Sequence, residues 1–143
     1  MSVAAVTSAD EWRVRRGEVS DRLWIRDTLA AELATNSYLF SVDRATVLRV
    51  ADKAEAGWEA LIVSPADEPT ERAGWVLFEP VPTLTVAYAF VEPAYRRLGA
   101  WRALREAIGL RDGMQVAVVL GSPRACSDAR KRYAVKHNWG RAL

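Results

Sequence analysis

In residues 91–107, VEPAYRRLGAWRALREA, a glycine and two of the four arginines lie in the turn where an extended segment gives way to a helical one. A helix N-terminus presents unpaired N–H groups and the positive end of the helix dipole, and both attract anions. Gly99 lets the backbone approach a ligand closely, and Arg96 and Arg97 can contact phosphate in a bidentate manner. The turn predicts a phosphate site. The alternative is an ordinary basic turn between a strand and a helix.

Hydrophobic periodicity predicts the elements that position this turn. In chain order they are a strand over 12–16, a helix over about 20–34, a second helix ending at Gly57, strands over 58–63, 75–78 and 84–91, a helix from the turn to about 110, a strand over 115–120, a helix over about 122–137 and a short strand in 139–143. Short links between the three middle strands favour an antiparallel meander. The strand–helix–strand unit over 84–120 predicts a parallel pair with a right-handed crossover. We expect one α/β domain over 1–143.

The charges are distributed unevenly along the chain. Residues 1–93 carry 9 basic and 15 acidic side chains, whereas residues 94–143 carry 11 basic and 3 acidic ones. The C-terminal third is therefore expected to attract a polyanion, such as a phosphorylated cofactor, a nucleic acid or an acidic partner. A solvated basic helix face explains the same numbers.

Several classes of protein and site are disfavoured by the sequence. No apolar run approaches the roughly 20 residues of a membrane span. The N-terminus has no signal-peptide pattern, so we expect a cytoplasmic protein. Cys126 is the one cysteine and His137 the one histidine, which argues against a disulfide, a zinc cluster and any other metal site. We interpret Cys126 as a small buried residue and His137 as a helix-end residue rather than as a base.

The turn, in this order of elements, resembles the GNAT family, the GCN5-related acyl-CoA-dependent N-acyltransferases. The family motif is V-x-P-x-Y-R/Q-x-x-G-x-G/A-x-x-L, and the matching residues are Val91, Pro93, Tyr95, Arg96, Gly99 and Leu104. The segment WRVRRGEVSDRLWIRDTL resembles the family's first strand and helix, and ARKRYAVKHNW (129–139) resembles its last helix. The resemblance implies a GNAT-like mixed central sheet with helices on both faces and a shortened C-terminal end.

The resemblance also implies roles for particular residues. Acetyl-CoA would be the cosubstrate, with no metal. Its pyrophosphate would lie on the backbone of Leu98, Gly99, Ala100 and Trp101, next to Arg96 and Arg97. Phe90 and Val91 would pair with the pantetheine arm and direct an N–H at the thioester carbonyl.

Two further residues would act as acid and base. Tyr133 would protonate the leaving thiolate, unless it is a half-buried core tyrosine. Glu92, or else Glu79, would accept the proton of the attacking amine directly or through water. A solvated strand end is the alternative for Glu92.

The sequence departs from the family pattern at two places. Trp101 stands where the motif has glycine or alanine. Its indole either turns into the core, in a stripe with Leu104 and Ile108, or fills the phosphate cradle. The C-terminal end has room for one strand where the family has two, which would leave an open sheet edge. A second copy of the chain or a protein partner could cover that edge.

The function therefore stays open between three classes. The first is transfer of an acetyl group from acetyl-CoA to an amine by direct attack. The second is a non-catalytic GNAT-like binding or assembly protein of the kind that tailed phages encode, in some cases within the virion. The third, nucleic-acid binding, has no motif to support it. The acceptor groove would involve the loop 35–43, where Asn36, Tyr38 and Phe40 either line it or pack within the loop. An acidic groove would suit a cationic amine.

Overall fold

The computed structural model describes residues 11–35, 45, 49, 52–53, 57–118 and 130–137, with only the backbone described at 136 and 137. Its elements in chain order are β1 (Trp12–Arg16), α1 (Val19–Thr35), β2 (Glu59–Pro65), β3 (Gly74–Glu79), β4 (Thr85–Val91), a 3₁₀ turn (Pro93–Tyr95), α2 (Ala100–Ala107), β5 (Gln115–Val118) and β6 (Ala134–His137). Within these ranges no helix is long and apolar enough to cross a membrane, and no cluster of ligating side chains could hold a metal ion.

The six strands form one mixed sheet in the order β1-β2-β3-β4-β5-β6. Strands β1 to β4 are antiparallel neighbours, which confirms the predicted meander. Strand β5 is parallel to β4, because the connection between them crosses over through α2. Strand β6 is parallel to β5.

The helices cover opposite faces of the sheet, as predicted. On one face α1 buries Ile25, Leu29 and Leu33 against the β3 side chains of Trp75 and Leu77. On the other face α2 buries three residues at helical spacing, Ala100, Ala103 and Leu104. Alternate side chains of β3 thus pack in the two cores, because successive side chains of a strand point to opposite faces.

Asp21 ties the start of α1 to two other parts of the chain. Its fully buried carboxylate accepts two hydrogen bonds from Arg15 of β1, at 2.6 and 3.0 Å, and one from Arg72, at 2.8 Å. It also accepts the Glu18 backbone N–H at 2.7 Å, so it caps α1 from the third helical position. These charged donors hold the pKa of Asp21 at about 2.

The last predicted helix is wrong in its final part. Residues 134–137 form β6, and Tyr133 precedes this strand in a turn. The spacing of Ala125, Ala129 and Tyr133 is helical, but Tyr133 and Val135 also alternate as in a strand, and both pack in the α2-side core. Pairing with β5 decides between the two patterns. The second predicted helix is described only at 45, 49, 52, 53 and 57. Asn36, Tyr38, Phe40, Cys126 and the strand within 139–143 lie outside the described residues, as does the His137 side chain.

Candidate functional site

Strand β4 contains a bulge in its middle, and the part of its edge beyond the bulge faces a cavity. Leu77 pairs with Tyr88 but Phe78 pairs with Val86, so Ala87 is an extra residue in β4. Within the described residues, only Thr85 and Val86 of β4 pair with β5. Bulges change the direction of a strand and are frequent next to active sites. The part of β4 after the bulge is therefore available to a ligand.

The cavity has a volume of about 960 Å³. It lies between β4, β5, the turn after β4, and α2, on the sheet face that α2 covers. Its described lining includes five arginines, Arg96, Arg97, Arg102, Arg105 and Arg132. Asp112 is the one carboxylate among the described lining residues. This distribution of charge favours an anionic ligand.

The N-terminus of α2 forms part of the basic end of this cavity. The first backbone bond within the helix runs from the Ala103 N–H to the Gly99 carbonyl at 3.0 Å. The N–H groups of the three preceding residues, Ala100 to Arg102, thus have no partner inside the helix, and no described side chain caps it. Gly99 (φ 99°) and Arg97 (φ 64°) both adopt the left-handed conformation. For arginine this conformation is uncommon, and such residues cluster at functional sites.

Trp12 and Tyr95 hold the turn from the sheet side. The Trp12 indole N–H donates to the Leu98 carbonyl at 3.0 Å. The Trp12 and Tyr95 rings meet edge to face at a centroid distance of 5.9 Å. The Tyr95 hydroxyl donates to the Glu71 carboxylate, which raises the pKa of Tyr95 to about 12. Trp12 carries no sequence signal for this role, because it stands 86 residues from Leu98.

Five of the eight predicted cofactor residues line the cavity, namely Val91, Arg96, Arg97, Gly99 and Trp101. Phe90 does not, since its side chain is buried in the α1-side core opposite Trp75. Ala100 is buried in the α2-side core, and the Leu98 side chain is exposed and lies outside the lining. Ala89, which was not predicted, lines the cavity two residues before Val91.

Trp101 does not turn into the core. Its side chain is 37% exposed and lines the cavity, while Ala100, Ala103 and Leu104 occupy the buried face of α2. The expected stripe with Leu104 and Ile108 is therefore wrong for Trp101. Trp101 is the second residue of α2 and so belongs to the helical turn whose N–H groups are unpaired.

Tyr133 reaches the cavity from the start of β6. The residue is 8% exposed, and its hydroxyl accepts a hydrogen bond from Arg105 Nη1 at 3.0 Å. Arg105 also lies 3.3 Å from Asp112, and these two oxygens raise the pKa of Arg105. The sequence analysis missed Arg105, although it follows Trp101 by four residues and so shares its helix face.

The two predicted bases are not brought to the cavity. Glu92 follows β4, and its backbone N–H bonds to the Ala73 carbonyl at 2.8 Å. Glu79 pairs with Thr85, at the opposite end of β4 from Val91. Neither glutamate is among the residues that line the cavity.

No protein-family model matches the sequence, and no curated protein matches it. Solved structures do match the fold. A protein of Clostridium difficile 630 described as a possible acetyltransferase superposes with a TM-score of 0.57 at 12% identity, over 90% of this chain and 94% of that chain. The fold is that of the GNAT acetyltransferases.

Two further GNAT structures support the assignment of the fold. A GCN5-related N-acetyltransferase from Rhodopseudomonas palustris gives a TM-score of 0.53 at 14% identity, over 83% of this chain and 79% of that chain. A GNAT-family acetyltransferase from Staphylococcus aureus gives 0.51 at 12% identity, over 84% and 78%. At such identities the likeness concerns the GNAT fold itself, and function has to be argued from the site.

Proposed function

We propose that this protein is an acyl-CoA-dependent N-acyltransferase that transfers an acyl group directly to an amine. One observation carries the proposal. A single cavity joins the uncapped N-terminus of α2, with Arg96 and Arg97 beside it, to the hydroxyl of Tyr133. Arg105, the partner of Tyr133, follows Ala100 by five residues, which is a rise of roughly 7.5 Å along the helix. An anion site and a proton donor thus share one ligand-sized space.

The basic end of the cavity would hold the phosphates of coenzyme A. The N–H groups at the start of α2 and the Arg97 guanidinium are donors suited to phosphate oxygens. The Arg96 guanidinium bonds to the Val91 carbonyl at 2.8 Å and lies 6.0 Å from the Phe90 ring, so it is held beside the end of β4. Bound acyl-CoA supplies a thioester, whose carbonyl carbon is the electrophile.

The end of β4 and the residue before β6 would serve the transfer itself. Because the Glu92 N–H bonds to Ala73, the residue before β3, the alternation of a strand turns the backbone of Val91 the other way, toward the cavity. A backbone N–H on that edge can stabilise an oxyanion. Tyr133 would protonate the leaving thiolate. The proton of the attacking amine would pass to water in the cavity, since neither Glu92 nor Glu79 lines it.

Trp101 favours a second candidate, a non-catalytic protein that keeps the GNAT fold for binding or assembly. The indole lines the cavity at the first turn of α2, where a phosphate would approach. If it fills that space, acyl-CoA is excluded and the fold serves another partner.

Calorimetric titration of acetyl-CoA and CoA into wild-type protein and Trp101→Gly separates the two candidates. Trp101→Ala accompanies them, because alanine fits the motif and favours the helix more than glycine. Saturable one-to-one binding to wild type supports the transferase and leads to a screen of amine acceptors. Binding gained only in the two variants supports the non-catalytic protein. No binding to any of the three contradicts an acyl-CoA site.

A further inference from the structure

We propose that Arg105 is a positioning residue that directs the Tyr133 hydroxyl proton into the cavity and stabilises the phenolate left by its transfer. This inference rests on the proposed function, in which Tyr133 is the acid. Arg105 Nη1 lies 3.0 Å from the Tyr133 hydroxyl. The Arg105 side chain is 14% exposed and Tyr133 is 8% exposed, so this hydrogen bond is largely shielded from water.

The direction of the proton follows from the chemistry of the two groups. A guanidinium has five N–H donors and no acceptor, so in this pair the phenol oxygen must accept. The Tyr133 O–H proton therefore points away from Arg105. Among the residues that the structure describes, the Tyr133 hydroxyl makes no hydrogen bond besides the one it accepts from Arg105, and Tyr133 lines the cavity. A ligand atom in the cavity is then a natural acceptor.

Proton transfer leaves a negative charge on the Tyr133 oxygen, beside the Arg105 guanidinium. As the amine nitrogen bonds to the acyl carbon and the C–S bond breaks, the Tyr133 O–H bond breaks and an S–H bond forms. The phenolate remains next to the Arg105 cation, and a charge-assisted hydrogen bond stabilises it. Water then returns a proton to the phenolate and takes up the proton that the amine releases. No other reactant is needed.

The rest of α2 holds the Arg105 guanidinium in place. Ala103 and Leu104 anchor this part of the helix in the core, at 5% and 0% exposure. Asp112 approaches the same Nη1 at 3.3 Å, and Arg105 Nε is buried without a hydrogen-bond partner among the described residues. Among the described residues, Tyr133 and the exposed Asp112 are thus the hydrogen-bond partners of this guanidinium, which matches a role exerted through Tyr133.

The kinetic test is a double-mutant cycle of Arg105→Gln and Tyr133→Phe with acetyl-CoA and a responsive amine. Arg105→Gln should lower kcat about tenfold or more and change KM less than about threefold. In the Tyr133→Phe background the same substitution should have almost no effect on kcat. Arg111→Gln removes the charge of an exposed arginine that is not among the lining residues and serves as the control. Equal effects of Arg105→Gln in both backgrounds would overturn the inference.

A second test does not require acyl transfer. An arylsulfonyl fluoride esterifies phenol oxygens in proportion to their phenolate character, and peptide mass spectrometry locates the label. Tyr133 should be labelled about tenfold faster in wild type than in Arg105→Gln, because the guanidinium stabilises the reacting phenolate. Arg105→Lys, whose shorter side chain cannot place a planar donor on the oxygen, gives the same comparison if Arg105→Gln does not fold.

The outcomes of the two tests can be told apart. Arg105-dependent labelling without acyl transfer supports the Arg105–Tyr133 pair and contradicts the proposed function. Acyl transfer with labelling and kcat independent of Arg105 contradicts the pair and leaves the proposed function standing. An unlabelled Tyr133 in wild type also contradicts the pair.

Discussion

The indole N–H of Trp12 lies 3.0 Å from the carbonyl oxygen of Leu98 and joins the outer strand β1 to the turn between β4 and α2. The same ring meets Tyr95 edge to face. The turn is thereby held at two points by one residue of the sheet. This contact lets β1, none of whose residues lines the cavity, restrain the turn after β4.

Trp12→Phe tests whether this contact orders the turn. The ring is largely kept, whereas the hydrogen bond to Leu98 is lost, so we expect the free energy of unfolding to fall by about 1 kcal/mol. If the turn binds CoA, its affinity should fall about fivefold, because the free loop becomes less ordered. Denaturant unfolding and calorimetry measure the two effects. Trp24→Phe, on the α1 face, is the control. An unchanged affinity for CoA in Trp12→Phe would show that the contact does not order the loop.

Asp21 should make the fold sensitive to acid. Its pKa is about 2 in the folded protein against an ordinary value of 3.8. Because the folded value is the lower one, its contribution is present above about pH 4 and is lost as the pH falls toward 2. Asp21→Asn should lower the free energy of unfolding by about 2 kcal/mol at pH 7 and by much less near pH 2.

Urea unfolding at several pH values measures this difference. Asp27→Asn, an exposed carboxylate on the same helix, is the matched control and should change stability by less than about 0.5 kcal/mol. A difference between wild type and Asp21→Asn that stays constant from pH 7 to pH 2 would argue against the ion pairs as its cause.

Tyr95 should ionise late in alkaline solution. Its hydrogen bond to Glu71 and the nearby negative charges raise its pKa to about 12 from the usual 10. The raised folded value means that this contribution to stability is present below about pH 10 and is lost as the pH rises toward 12. Absorbance titration at alkaline pH, with Tyr95→Phe to identify the signal, should show the Tyr95 pKa falling toward 10 in Glu71→Gln. Ionisation of Tyr95 near pH 10 in the wild type would refute the contact.

Gly74 should not tolerate a side chain. A Cβ at this position would lie 2.5 Å from the Phe90 carbonyl oxygen and 3.2 Å from the Val91 Cα, both backbone atoms of β4. Gly74→Ala should therefore cost about 3 kcal/mol of stability and disturb the β3–β4 register. Gly57→Ala is the control, since a Cβ there meets nothing within 4 Å. Equal thermal midpoints for the two variants would contradict the close approach of β3 and β4.

Local patterns in the sequence were sufficient for most of the fold. The β-branched and aromatic run of β4 and the turn residues on either side of it placed a strand correctly, because strand preference and punctuation act over a few residues. Gly99 and the arginines likewise placed the turn that enters α2, and its binding of an anion stays a prediction. The last helix was wrong in its final part, because ARKRYAVKH satisfies two periodicities at once. Only pairing with β5, a contact outside the segment itself, selects the strand.

The sequence by itself determined the meander, the crossover through α2 and the position of the basic turn between β4 and α2, since each depends on residues that are neighbours along the chain. The tertiary structure alone decided which side chains meet in the cavity. It placed Arg105 on Tyr133, Trp12 on Leu98 and the Trp101 indole in the lining, and it left Glu92 outside. These contacts depend on the register of strands and on the rotation of α2 about its axis. Both are fixed by packing the two cores, which no local spacing specifies.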